Sequence, residues 1–310
     1  MLSLRRTRKR ESASATDAWY LEKSPLEKKA WAISEKGNAK SALALYKRIA
    51  DQDPEDAEIW CAIGHALAWH GRREEAVAAF MREDALLARK LECCPDDYHA
   101  WRCRAVVLFR LRRLEEALAT WEQSYERIPN THYGDWDLKG QILAACGRHE
   151  EAIAAYRRQL AIFPGALSVL WRLGNSMYAL CRLEEAVAWY AVGGDMHPYF
   201  LNGKGAALYG LGRFDEARAD FARAVDLGPY GGRIRNRMWR NLGIVLRKLQ
   251  RHEDAAGALL WAKQWEQEEQ KHGFLEDCSE ILLLDPVMSL EEGEGMRERS
   301  ATRRKNARSY

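Results

Sequence analysis

One feature constrains the fold of this chain more than any other: a short pattern of residues recurs along most of its length. The clearest copy is GQILAACGRHEEAIAAYRRQLAIFP, residues 140–164. In this copy Gly147 can take the positive φ that ends a helix, Ala152 leaves room for a close helix crossing, and Pro164 stops a second helix. The segment therefore predicts two helices joined by a tight turn.

Four positions of this pattern can be followed through seven copies. The crossing alanine recurs at Ala42, Ala76, Ala117, Ala152, Ala186, Ala217 and Ala255. The turn position is occupied by Gly37, Gly71, Arg112, Gly147, Cys181, Gly212 and Gln250. A small residue of the first helix is found at Ala30, Gly64, Ala105, Gly140, Gly174, Gly205 and Gly243. A large residue of the second helix follows at Tyr46, Phe80, Trp121, Tyr156, Tyr190, Phe221 and Leu259.

This pattern resembles the tetratricopeptide repeat (TPR), a pair of helices of about 34 residues. The resemblance covers residues 23–265 and implies an all-α, right-handed α-solenoid of about seven helix–turn–helix repeats with a C-terminal capping helix. The repeats are expected at about 23–56, 57–97, 98–131, 132–166, 167–198, 199–231 and 232–265. Around them we expect a basic disordered segment at 1–22, a helix extension and cap at 266–290, and a disordered charged tail at 291–310.

Irregular spacings predict local departures from the repeat. Ala76 and Pro95 are 19 residues apart, whereas the same two positions are 12 apart in most copies. Seven extra residues are close to two helical turns, which predicts a longer second helix rather than an inserted loop. The distance from Pro198 to Gly212 is three residues short, so the first helix of repeat six is expected to begin about one turn late. In repeat seven, the segment PYGGRIRNR predicts a longer turn.

Composition and motifs exclude several classes of protein. No apolar run approaches the roughly 20 residues of a membrane helix, and the N-terminal MLSLRRTRKRESASA has no apolar stretch typical of a secretory signal. Seven cysteines without framework spacing indicate a reducing compartment, so a cytoplasmic protein is expected. The sequence contains no GxSxG, Walker loop or HExxH. We therefore expect neither an enzyme nor a bound cofactor.

The resemblance implies a protein-interaction scaffold that binds a peptide or a partner helix in a concave groove lined by the first helices. Aromatic and arginine side chains are the types that dominate binding hot spots. Projected onto this sequence, the predicted groove residues are Trp69, Arg102, Phe109, Arg110, Trp171, Arg172, Asn175, Tyr178, Tyr199, Tyr209, Arg237, Arg240, Asn241, Arg247 and Lys248.

The ligand of this groove is open at the level of sequence. Residues 228–252 contain seven arginines and lysines and no acid, which favours an acidic peptide, a phosphate or nucleic acid. The alternative function is therefore an RNA-binding helical-repeat protein that uses this basic stripe. Against it, aromatic and arginine residues do not recur at one position per repeat, as a base-by-base code requires. A third interpretation is an assembly subunit whose solenoid ends pair.

Two further patterns have a chemical and a structural interpretation. Cys61 and His65, and likewise His99 and Cys103, are four residues apart and could form a Cys₂His₂ zinc set. No CxxC spacing supports a metal, so we expect a small apolar groove floor instead. Paired glutamates such as Glu150 and Glu151 recur at one repeat position, which indicates helix-start charge rather than acid–base chemistry.

Overall fold

The computed structural model describes residues 30, 33, 39–128, 135–194, 197–227 and 232–271, and within these ranges all regular structure is helical. The thirteen helices of this part of the chain are α1 (Ala39–Gln52), α2 (Ala57–Trp69), α3 (Arg73–Cys93), α4 (Tyr98–Arg110), α5 (Leu114–Arg127), α6 (Trp136–Ala145), α7 (His149–Ile162), α8 (Leu167–Ala179), α9 (Leu183–Val192), α10 (Pro198–Gly210), α11 (Phe214–Asp226), α12 (Gly232–Lys248) and α13 (His252–Lys271).

The described residues belong to two compact units, one ending at Arg89 and one beginning at Lys90. The first contains α1, α2 and most of α3. In the second, consecutive helices pack from α4 to α5 and onward to α13, and each of α6, α8 and α10 also contacts the helix two positions later. The second unit is therefore a stack of helix pairs, as a repeat architecture requires.

The turns between paired helices confirm the positions predicted from the sequence. Positive φ is found at Gly71 (70°), Arg112 (59°), Gly147 (76°), Cys181 (58°), Gly212 (80°) and Gln250 (61°). The backbone N–H after each of these residues donates to the carbonyl five positions back, as Arg148 does to Leu143 at 2.9 Å. This hydrogen bond satisfies a carbonyl at the helix end and closes the turn. Gly37 lies outside the described residues.

Small residues of the first helices allow the large residues of the second helices to pack close. A Cβ atom added at Gly140 would lie 2.3 Å from the ring of Tyr156, and one at Gly64 would lie 2.5 Å from the ring of Phe80. The same contact pairs Gly174 with Tyr190, Gly205 with Phe221 and Gly243 with Leu259. Every crossing alanine from Ala42 to Ala255 is buried. The hydrophobic core consequently runs between the two helices of each pair.

Helix α3 has the predicted additional length. It has 21 residues, whereas α5 and α7 have 14 each. Leu86, Leu87 and Leu91 of its C-terminal half are buried, so the apolar face continues through the added turns. The seven extra residues between Ala76 and Pro95 are thus helix, not an inserted loop.

The expectation for repeat six is wrong. Helix α10 begins 14 residues before Gly212, just as α8 begins 14 residues before Cys181, so it does not begin late. The missing turn belongs to α9 instead, which has only 10 residues. Gly194 follows it with φ of 82°, and Pro198 opens α10 at its first turn, where its missing N–H leaves no helical bond unmade.

Repeat seven also differs from the sequence prediction. Its first helix, α12, begins at Gly232 and has 17 residues, four more than α8 or α10. Most of the segment expected to be a longer turn is therefore an additional helical turn.

The last helix, α13, is described as far as Lys271. In the described part of the chain no helix is both long enough and apolar enough to cross a membrane. The predicted N-terminal segment, capping helix and charged tail fall outside the described residues.

Candidate partner-binding face of the first helices

The first helices of the second unit, α4, α6, α8, α10 and α12, present the residues predicted to bind a partner. We call their accessible polar side the first-helix face. Its members are Arg102, Arg172, Asn175, Tyr199, Arg237, Arg240, Arg247 and Lys248, all of which are exposed or partly exposed.

Five residues predicted for the groove surface are buried instead. Phe109, Trp171, Tyr178, Tyr209 and Asn241 are at most 8% exposed, and the four aromatic ones belong to the core of the second unit. The reason is packing against neighbouring helices. Trp171 meets the edge of Tyr199 on the next first helix, with ring centroids 5.6 Å apart. These five side chains pack beneath the accessible residues of the first helices and expose little surface to a ligand.

Two other predicted residues are less informative. Arg110 is partly buried at the C-terminal end of α4. Trp69 is the last residue of α2 in the first unit, and its side chain is outside the described part of the structure.

Two predicted arginines are engaged by aspartates that precede or begin α6. Arg102 Nε donates to Asp135 Oδ1 at 3.1 Å, and Arg172 Nη1 donates to both carboxylate oxygens of Asp137 at 2.7 and 2.9 Å. Asp135 is buried and also accepts the hydroxyl of Tyr98. Burial, and then this hydrogen bond, raise the pKa of Tyr98. These ion pairs tie α4 and α8 to α6, a connection that the repeat pattern does not predict.

Asparagines of the first helices also bond within the protein. Asn175 Oδ1 accepts the hydroxyl of buried Tyr190 at 2.6 Å. Asn241 Nδ2 donates to Asn202 Oδ1 at 2.9 Å, and both residues are buried. The second bond links α10 to α12 and satisfies polar groups that would be costly to bury unpaired.

The basic end of the first-helix face is α12. It carries six arginines and lysines and no acidic residue. Arg247 and Lys248 are exposed near its C-terminal end, while Arg237 and Arg240 are partly buried. Arg240 Nη2 lies 3.4 Å from Asn236 Oδ1 and 3.4 Å from Glu266 Oε2. Positive charge on this face is therefore concentrated in the last repeat.

The cysteine and histidine pairs show no metal-binding geometry. Cys103 Sγ lies 3.4 Å from His99 Nε2, and His65 meets Phe80 edge to face. Cys61 and His65 belong to the first unit, whereas His99 and Cys103 belong to the second. Across the described residues, no group of three or more His, Cys, Asp or Glu side chains is close enough to hold a metal ion.

The recurring glutamate pairs have a structural partner that was not predicted from the sequence. The second acid of each pair accepts hydrogen bonds from an arginine three residues earlier, directly after the turn residue. These arginine–acid pairs are Arg72–Glu75, Arg113–Glu116, Arg148–Glu151, Arg182–Glu185, Arg213–Glu216 and Arg251–Asp254. An RxxE or RxxD spacing after six of the seven turn positions was a visible signal in the sequence. The arginine hydrogen bonds hold the pKa of Glu151 and Glu216 below the usual range.

The fold is shared with known helical-repeat structures. A tetratricopeptide repeat protein from Parabacteroides merdae is 14% identical with a TM-score of 0.57, covering 85% of this chain and 98% of that one. The Cut9–Hcn1 hetero-tetramer of APC/C has a TM-score of 0.51 at 18% identity, covering 89% of this chain and 55% of that one. MamA from Desulfovibrio magneticus has a TM-score of 0.48 at 18% identity, covering 56% and 96%. No curated protein sequence matches the chain.

The sequence family is identified independently of these structures. The family model of the tetratricopeptide repeat matches residues 61–131, 138–199, 168–232 and 202–268, which together are more than half of the chain. The paired helices, their turns and their small-to-large contacts agree with that match. The protein is thus an all-α helical-repeat solenoid that belongs to the tetratricopeptide repeat family.

Proposed function

We propose that this protein is an interaction scaffold that binds an acidic peptide or partner helix on the first-helix face, without catalysis of its own. Tetratricopeptide repeats are generally binding modules, which supports the scaffold. The observation that carries the choice of ligand is the charge of α12, which has six basic residues and no acid.

The ion pairs of the first-helix face indicate which part of it an acidic ligand would bind. Arg102, Arg172 and Arg240 each already hold a carboxylate of the chain, so a ligand carboxylate would have to compete there with an intramolecular pair. Arg247 and Lys248 are exposed at the other end of the face. Cations at such positions form charge-assisted hydrogen bonds with carboxylates and accelerate encounter with an acidic partner. The C-terminal half of the face is therefore the proposed binding region.

A charge-reversal pair tests this proposal. Arg247→Glu with Lys248→Glu removes two exposed cations from α12, and Arg157→Glu with Lys263→Glu makes the same charge change on exposed positions of second helices. Partners captured from native extract by the full chain are cross-linked, and the contacting segment is identified by mass spectrometry. We expect an acidic segment cross-linked to α10 and α12, lost in the first variant and kept in the second.

Three results would contradict the proposal. Cross-links confined to second helices would exclude the first-helix face, and equal loss of binding in both variants would exclude a specific role for α12. Single-stranded RNA bound with a steep salt dependence, and lost in the first variant alone, would favour the RNA-binding alternative.

A further inference from the structure

A cluster of three tryptophans lies where α11, α12 and α13 meet. We call it the tryptophan site. It is an open cavity of about 360 Å³ lined by Val225 and Asp226 at the end of α11, Arg235 and Trp239 of α12, and Trp261 and Trp265 of α13. Three helices thus converge on a pocket that nothing in the scaffold function requires.

The side chains of α12 and α13 form two facing pairs in this pocket. The guanidinium carbon of Arg235 lies 4.6 Å from the ring centroid of Trp265. Trp239 and Trp261 are stacked, with ring centroids 6.0 Å apart and planes 23° from parallel. Trp261 nevertheless remains 51% exposed. The face of Trp265 is therefore already occupied by a cation, while the indole of Trp261 is accessible from solvent.

The indole rings and one carboxylate of the pocket favour a cation. The faces of indole rings are electron-rich and attract guanidinium and ammonium groups. Asp226 is exposed at the C-terminal end of α11, where the helix dipole adds partial negative charge. Arg235 opposes a second cation, but its own position over Trp265 shows that the site accommodates a guanidinium.

We infer that the tryptophan site binds an arginine side chain of a partner protein, with its guanidinium stacked on Trp261 and its charge balanced by Asp226. Arginine fits better than lysine because its planar, weakly hydrated group stacks on aromatic faces and bonds carboxylates in a bidentate manner. Single-stranded nucleic acid fits less well, because its phosphates would meet Asp226. The partner of this site is basic, whereas the proposed ligand of α12 on the first-helix face is acidic.

The test uses two tripeptides whose ends are blocked and therefore uncharged. One is acetyl-Gly-Arg-Gly-amide, and the other has citrulline, which has the shape of arginine but no charge, in place of the arginine. Each is titrated into the full chain, and binding is followed by the shift of the tryptophan indole N–H signals in ¹H–¹⁵N spectra. We expect the arginine peptide to shift the Trp261 signal, assigned from its loss in Trp261→Phe, in a saturable manner. The citrulline peptide should bind at least about fivefold more weakly.

Matched variants locate the site. Asp226→Asn and Trp261→Ala, both at exposed positions, should each weaken the arginine peptide by at least about fivefold. Leu260→Ala, which removes a comparably exposed apolar side chain from the adjacent position, should leave binding unchanged. Unchanged helical circular dichroism confirms that each variant is folded.

Several outcomes would overturn the inference. Equal binding of the citrulline peptide would show an apolar surface without charge recognition, and equal loss in Leu260→Ala would show that the contact is not local. Methylguanidinium that binds as tightly as the peptide would indicate a small free cation instead of a partner side chain. The Arg247→Glu, Lys248→Glu variant should retain arginine binding, so failure of this inference and failure of the proposed function can be told apart.

Discussion

At the scale of single residues, the turns show where the backbone requires glycine and where the chain does without it. Arg112, Cys181 and Gln250 adopt the same left-handed conformation as the glycines at equivalent turns. That conformation costs a residue with a Cβ atom roughly 1–2 kcal/mol. Recognition of the turns therefore depended on the spacing of neighbouring residues rather than on glycine itself.

Exchanging residue types at these turns should move stability in opposite directions. Gln250→Gly should raise the free energy of unfolding by about 1 kcal/mol, and Gly147→Ala should lower it by a similar amount. A Cβ atom at Gly147 meets no neighbouring atom, so its cost would arise from φ alone. Urea midpoints at unchanged m-value are the measurement, and shifts of the same sign would contradict the explanation.

Glycine-to-alanine substitution should have opposite effects at two helical sites, one at a helix crossing and one facing open space. Gly140→Ala should cost about 1–3 kcal/mol, since the new Cβ atom would lie 2.3 Å from Tyr156. Gly257→Ala in α13 should stabilise by about 0.5–1 kcal/mol, because its Cβ atom meets nothing and alanine favours the helix. Thermal or urea unfolding of both variants tests the pair. A destabilised Gly257→Ala would show that helix propensity is not the governing effect there.

At the scale of helices, the sequence shows where residues are added or missing, but it does not always show which helix is lengthened or shortened. The seven additional residues of α3 had to be helix because they preserved the apolar face. The three-residue shortening near Pro198 could belong to either of two helices, since a proline can follow one helix or open the next. In the structure Pro198 opens α10 and the shortened helix is α9. Gly193 and Gly194 were the signals in the sequence that α9 ends early.

Ion pairs between helices should be worth more than those within one turn. Arg172 and Asp137 join α8 to α6 with side chains 15% and 22% exposed, whereas Arg213 and Glu216 are 48% and 57% exposed at a similar distance. A double-mutant cycle with Arg172→Met and Asp137→Asn should give a coupling energy of about 1–2 kcal/mol. The matched cycle with Arg213→Met and Glu216→Gln should give at most about 0.5 kcal/mol. Equal coupling energies would show that burial does not decide the difference.

At the scale of the whole chain, the candidate site was less predictable than the fold. Projection of one repeat onto the next omits the neighbouring helix, which covers some of the projected residues. Trp171, Tyr178 and Tyr209 were expected at the surface for their residue type and are instead core side chains. Asp135 and Asp137, which bind the predicted arginines, were not predicted because they lie outside the positions that recur from repeat to repeat.

A stack of repeats should also respond locally to damage, because each repeat contacts only its neighbours. Gly174→Ala, whose Cβ atom would lie 2.6 Å from Tyr190, should speed amide hydrogen exchange mainly in α8 and α9. Gly243→Ala, at 2.7 Å from Leu259, should speed it mainly in α12 and α13. Mass-spectrometric exchange on both variants provides reciprocal controls. Uniform acceleration from α4 to α13 in either variant would show that the second unit opens as one body.

The arginine–acid pairs at the turns have a consequence for how such a chain can change over generations. Each pair lies within four consecutive residues of one repeat and sums to zero charge, as in Arg148–Glu151 and Arg213–Glu216. Duplication or loss of a whole repeat by recombination would therefore add or remove a neutral pair. The number of repeats can vary while the charge contributed by these pairs stays the same.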